Sequence, residues 1–336
     1  MAVKLTEKLI EFLTTCEGKE VTTKYLRQEL RIDPNSSAWD SIRVYLKRFV
    51  EKGIVKPSGK NDGMYKVIKR VDPVRVFIPG RQRRPEFELF FPQDRDKGTE
   101  LEIAEKFVIR EGDLITLGGV KNKGKTTLCL GFLAANLDKR PVLMGNEYTI
   151  FTDGKYEPAP RFLNRLDAMK WVNWVDDKGN DKFTLLPIKE DYAEHIVRDR
   201  INIIDWINID ANQLYDIGRV LEDIKSHLGK GIAIIALQKS DKSTDPRGGQ
   251  FARDFSDIML LLDGYGNDDI LMTIGEVKEK RAPISGKTYV YSILNEGTEI
   301  YNFREVKKCF KCHGSGYTRG ETCDVCDGRK FIDKMV

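Results

Sequence analysis

Gly119-Val120-Lys121-Asn122-Lys123-Gly124-Lys125-Thr126 spells a complete phosphate-binding loop. Glycines at both ends, Gly119 and Gly124, let the backbone curl so that several N–H groups, that of Asn122 among them, point at one anion. Lys125 can then reach the β- and γ-phosphates, and the Thr126 hydroxyl can ligate Mg²⁺. Phe107–Ile109 and Leu114–Leu117 predict strands running into the loop, and Thr127–Ala134 predicts a helix leaving it with its N-terminus toward the phosphates. The reading is a site for ATP, or another nucleoside triphosphate, with Mg²⁺. Thr127 joins Gly119, Asn122, Gly124, Lys125 and Thr126 as a candidate cofactor-binding residue.

The rest of the middle alternates strand and helix, which predicts an α/β fold with a mostly parallel sheet flanked by helices on both faces. Three strands end in polar residues: Pro141–Met144 before Asn146 and Glu147, Ile201–Ile204 before Asp205, and Gly231–Leu237 before Gln238. In a doubly wound sheet such positions face the ligand crevice. Asp205 is placed to hold Mg²⁺ through its water shell. Glu147 is placed to polarise the attacking water, with Asn146, Glu190 and Asp210 as substitutes. Gln238 can sense the γ-phosphate and report its loss to the following loop, unless it is simply a solvated strand end.

At 336 residues, 40% hydrophobic and 32% charged, the chain reads as a soluble protein of one large domain plus small ones. A net charge of +4 is only mildly basic, so any nucleic-acid site must come from local patches. No apolar run approaches the ~20 residues of a membrane helix, and no signal peptide is expected at the N-terminus. Four of the six cysteines crowd into one short stretch, which points to metal and a reducing, cytoplasmic setting.

Residues 1–70 form a first unit. Leu5, Leu9, Ile10, Phe12 and Leu13 predict one buried helix face, Thr23–Leu30 a second helix, and Ser37–Asp40 a capping-box start to a third. Ile54–Lys56 and Met64–Ile68 predict a hairpin. Three helices and a hairpin resemble a winged helix-turn-helix domain. That resemblance implies that the third helix reads DNA through Arg43, Lys47 and Arg48, with Lys56, Lys60 and Lys66 on the wing. The competing reading is a protein-docking module. Residues 71–100 are a basic and aromatic linker arm: either a tether, a phosphate clamp or a segment packed on a neighbouring subunit.

From about Ile103 to Tyr301, the order of features resembles the RecA-fold ATPases, and within them the DnaB-type ring helicases. Beside the loop itself, the resemblance rests on Glu147, Arg165-Leu166, Gln238 and the loop 239–253 with Arg247-Gly248-Gly249. It also rests on Lys278-Glu279-Lys280-Arg281 before a glycine-containing hairpin. It implies a homo-oligomeric ring or short filament, with Lys280 or Arg281 reaching the γ-phosphate of a neighbour and Lys278 assisting. It also implies that Lys239, Lys242 and Arg247 track a nucleic-acid backbone. The region 153–189 has no counterpart in that pattern. The implied function is nucleic-acid-dependent ATP hydrolysis driving translocation on, or remodelling of, DNA. The alternatives are an ATP-gated DNA-binding switch and a recombinase.

Cys309-x-x-Cys312 and Cys323-x-x-Cys326 predict a four-thiolate Zn²⁺ site over residues 304–336, structural because no ligand position is left open. Cys309–Gly316 resembles the DnaJ-type zinc repeat, and Cys323–Lys330 matches it except for the final glycine. A functional thiol pair is the alternative reading. A protein partner is one candidate for what the knuckle touches. Cys16 and Cys129 read as core residues.

Overall fold

The computed structural model describes residues 2–58, 63–70, 72–80, 86–145, 147–207, 216–240 and 243–334, with side chains from residue 5 onward. Lys60, Lys242, Asn146, Asp210 and the basic run 81–85 lie outside the described residues. The chain divides into two compact units, Met1–Arg83 and Arg84–Val336.

The first unit has helices α1 (Ala2–Thr15), α2 (Thr23–Glu29) and α3 (Ser37–Glu51), with strands β1 (Glu20–Thr22), β2 (Val55–Pro57) and β3 (Met64–Val67). The strands pair antiparallel in the order β1-β3-β2, so the expected hairpin gains a third strand. Leu9, Leu13, Leu26, Ile42, Leu46 and Phe49 close the core. Ile10 is 42% exposed: it lies off the face that Leu9 and Leu13 bury, one residue round the helix. The capping-box start at Ser37 is not formed. Ser36 is the N-cap, makes no side-chain cap bond, and donates its hydroxyl backward to the Asp33 carbonyl at 2.7 Å. On α2 the cap is made, with Thr22 Oγ1 accepting from Tyr25 N–H at 3.0 Å.

The second unit is built on one large sheet. Its main strands are β4 (Leu114–Gly119), β5 (Val142–Met144), β6 (Thr184–Leu186), β7 (Ile201–Ile204), β8 (Ile232–Gln238), β9 (Ile258–Tyr265), β10 (Asp269–Val277), β11 (Thr288–Leu294), β12 (Glu299–Lys308) and β13 (Phe331–Asp333). They run in the order β6-β5-β7-β8-β4-β9-β10-β11-β12, with β13 added antiparallel to β12. From β6 to β9 every pairing is parallel, and the strands are almost continuously apolar because both faces are covered. Helix α4 (Lys125–Ala135) packs Leu128, Phe132 and Leu133 on one face, while α5 (Ile217–His227) packs Leu221 and Ile224 on the other. Beyond β9 the sheet turns antiparallel, an extension wider than the single hairpin expected there.

The segment Phe107–Ile109, expected as a strand, makes only an isolated bridge from Phe107 to Lys280. The arm belongs to this unit from Phe87 onward. Phe87 N–H donates to the Ile109 carbonyl at 2.8 Å, and Phe91 stacks on Phe107 at 5.6 Å and meets Phe132 edge-on at 5.1 Å. Among the described residues, no helix is long and apolar enough to cross a membrane.

Candidate functional site

Parallel pairing aligns the carboxyl ends of four adjacent strands. Ile204 stands beside Met144, and Gln238 beside Gly119, so Glu147, Asp205, Gln238 and the Gly119–Thr126 loop meet at one edge of the sheet. The loop has the backbone that its spelling requires. Asn122 (φ 60°) and Gly124 (φ 79°) are left-handed, and Gly124 is the N-cap of α4. The helix starts at Lys125, two residues before the expected Thr127. Lys125 is buried, its ammonium donating to the Gly119 and Val120 carbonyls at 2.8 Å each. Burial lowers its pKa, and Asp205, the Cys129 thiol and Glu147 oppose that shift. The Thr127 hydroxyl, on the third helical residue, donates to the Gly297 carbonyl at 2.6 Å, toward the antiparallel half of the sheet.

Asp205 is fully enclosed. Tyr148 Oη donates to its Oδ2 at 2.7 Å, while Oδ1 is buried with no hydrogen-bond partner among the described residues. Burial pushes the carboxyl above its usual range; the Tyr148 and Thr126 hydroxyls and the Lys125 ammonium pull it back. An orphaned carboxylate oxygen beside a threonine hydroxyl offers hard oxygens of the kind that fit Mg²⁺. Thr126 and Asp205 are therefore the residues that would hold it. The strand ends pack so closely that a Cβ on Gly145 would fall 1.9 Å from the Asp205 carbonyl oxygen, a contact only glycine permits. Glu147 is exposed on the following turn. Tyr148 was not anticipated; its only sequence signal is an aromatic hydroxyl one residue past the candidate carboxylate.

Gln238 is half-buried, and its carbonyl accepts from Arg247 N–H at 2.7 Å, tying the next loop to the site. In that loop Arg247 is exposed, but Lys239 is not available as expected. It is buried, with its ammonium 2.6 Å from Asp263 Oδ2, since a lysine at a buried strand end needs a counter-charge.

Lys278, Lys280 and Arg281 sit at the opposite end of the sheet. Lys278 Nζ is 3.0 Å from Asp257 Oδ1, and Asp257 Oδ2 accepts from Leu114 N–H, the first residue of β4. The loop begins at the other end of that strand, roughly 17 Å away at about 3.3 Å per residue. Arg281 is committed locally: it donates to the Phe107 carbonyl at 2.7 Å and pairs with Glu86, pinning the arm. Lys280 is exposed, its ammonium 3.4 Å from Ser285 Oγ.

Cys309, Cys312, Cys323 and Cys326 are all buried, their sulfurs within 4.8 Å of one another. The Cys309–Cys323 and Cys312–Cys326 separations are 3.8 and 3.6 Å. Tetrahedral zinc at about 2.3 Å per thiolate requires about 3.8 Å between sulfurs, so the cluster fits Zn²⁺. Burial pushes the Cys312 thiol up, but the N–H groups of Gly316 and Gly314 and the neighbouring sulfurs outweigh it and hold it at about 6. The Gly316 N–H is 3.4 Å from Cys312 Sγ. His313 is exposed and apart from the cluster.

On α3, Arg43, Lys47 and Arg48 are all exposed along one stretch, and the Arg43 guanidinium lies 5.7 Å from the Trp39 ring.

No family model and no curated protein matches this sequence. Among solved structures, the chain is similar to one described as a DnaB-like replicative helicase and its interactions with primase. The TM-score is 0.39 at 13% identity, over 57% of this chain and 58% of that one. The chain thus spans a little over half the length of that structure.

Proposed function

We propose that this chain is a P-loop ATPase that couples ATP hydrolysis to movement on, or remodelling of, DNA. The observation that carries the ATPase reading is Asp205: buried, held on one oxygen by Tyr148, open on the other beside Thr126, and one strand removed from the loop that contains Lys125. Thr126 and Asp205 would hold Mg²⁺, which would supply neutralisation of the developing negative charge. Lys125 supplies a fixed cation at the loop's centre, Glu147 orients the attacking water, and Gln238 reads the γ-phosphate. Loss of that phosphate then reaches Arg247 through the Gln238 carbonyl.

The placement of Lys280 supports completion of the site by a second copy, since its own loop is a full strand length away. Of the two candidates for that role, Lys280 is the one whose side chain is not already committed.

The DNA part rests on the exposed cations of α3, read as the recognition helix of a winged helix-turn-helix, and on Arg247. The same α3 cations favour a second reading, an ATP-gated DNA-binding switch with slow turnover. Steady-state hydrolysis without nucleic acid, with single strands and with duplex separates the two. The motor predicts strong stimulation by single strands and abolition in Lys125→Ala. A slow rate indifferent to nucleic acid, with DNA binding that responds to ATP, would favour the switch. Full turnover in Lys125→Ala would refute the site itself.

A further inference from the structure

A cleft of about 730 Å³ separates the outer side of the phosphate loop from the zinc-ligand tail. Lys123 forms part of one wall; Arg329, Lys330 and Phe331 form part of the other. Lys239 also lines it but is neutralised by Asp263. Arg329 shares its charge with Asp327 at 3.2 Å, whereas Lys123 and Lys330 have no ion-pair partner among the described residues. Lys123 is turned toward the cleft: its Nζ lies 3.1 Å from where a Cβ on Gly264, a lining residue, would stand.

The tail wall is firmly held. Strand β13 pairs with β12, Cys309 N–H donates to the Lys330 carbonyl at 2.9 Å, and Tyr265 Oη donates to the Phe331 carbonyl at 3.3 Å. Arg329 N–H and Nε–H both donate to the carbonyl of Cys326, so the zinc cluster sets where this guanidinium starts. Lys123 on one side and Arg329 with Lys330 on the other thus line one groove.

We propose that this cleft binds the phosphate backbone of a single-stranded nucleic acid, gripped between Lys123 and the Arg329–Lys330 pair of the tail. The polymer class rests on the function proposed above; the polyanion chemistry rests on the cleft alone. Cations without paired donors and acceptors at fixed spacing suit backbone tracking, not base readout. Because Lys123 belongs to the same loop as Lys125, nucleotide and strand would each alter the other's affinity by the same factor.

The test uses the full zinc-loaded chain and fluorescent oligo(dT), titrated at several salt concentrations without nucleotide. Each lost phosphate contact flattens the log–log salt dependence by about 0.7 for single strands, so the double variant Arg329→Gln/Lys330→Gln should flatten it by about 1.4. Affinity at low salt should fall about tenfold or more, with one zinc per chain retained. On the unaltered chain, thiothymidine photo-crosslinks should map to residues 328–331. An unchanged slope, crosslinks that avoid the tail, or polyglutamate competing as well as oligo(dT) would overturn the proposal. Binding of a fluorescent ATP analogue, measured on the same preparation, keeps the two ideas apart. Normal nucleotide binding with no tail effect rejects the cleft alone, and a tail effect without nucleotide binding rejects the ATPase reading alone.

Discussion

Tyr148 fixes one oxygen of Asp205 and leaves the other free, so its hydroxyl decides how that carboxylate is presented. A hydrogen bond to a charged group contributes about 1.5–3 kcal/mol. Tyr148→Phe should therefore weaken Mg²⁺-dependent turnover by about tenfold or more. The sign of the pH effect follows from the direction of the shift. Burial already raises the Asp205 pKa and Tyr148 opposes that rise, so losing the donor raises it further. Activity that needs the ionised form is lost as pH falls through that pKa, and the acid limb of the rate profile should move to higher pH. An unmoved acid limb with lowered turnover would mean that Tyr148 only packs against Phe162, 4.8 Å away. The backbone of the loop was legible in the sequence, because left-handed Gly124 and the helix start at Lys125 are neighbours in the chain. Tyr148 and Lys239 were not, because their partners Asp205 and Asp263 lie 57 and 24 residues away and only the sheet brings them together.

Among the elements, the four-cysteine tail is the part most legible from spacing, since its two C-x-x-C turns bring all four sulfurs within 4.8 Å of one another. We expect one Zn²⁺ per chain by metal analysis, falling to none in Cys309→Ser. Chelation should raise hydrogen exchange across residues 309–330 while leaving β4 and β8 protected, because the large sheet has its own core on both faces. Exchange rising equally in β4 would show that the tail holds the whole unit together. The parallel half of the sheet was equally readable, as apolar runs ending in polar residues. The antiparallel half was not: β10 to β12 carry buried tyrosines and intermittent polar positions, a pattern that fixes neither partner nor order. Helix α3 starts at Ser37 as expected, but the capping box is absent: Ser36 stands at the N-cap and turns its hydroxyl back to the Asp33 carbonyl.

For the whole molecule, the decisive feature is that the phosphate loop and Lys280 occupy opposite ends of one sheet. If Lys280 acts on a neighbour, mixing inactive Lys125→Ala with inactive Lys280→Ala should restore activity. In a random equal mixture roughly a quarter of the interfaces pair an intact loop with an intact lysine. No recovery at any ratio, under conditions where the chains co-assemble, would rule out action between copies. Arg281→Ala should behave differently. By releasing Glu86 and the Phe107 carbonyl it should lower the melting temperature without dependence on protein concentration. Two unlike ends also dictate how copies can meet. In a twofold pair the two ends can meet only reciprocally, the Lys280 end of each copy against the loop end of the other, whereas a head-to-tail contact repeats from copy to copy. An open row of such copies always carries one site that lacks its partner. Turnover per chain would then climb as the row lengthens, and it would become uniform only when the last copy meets the first.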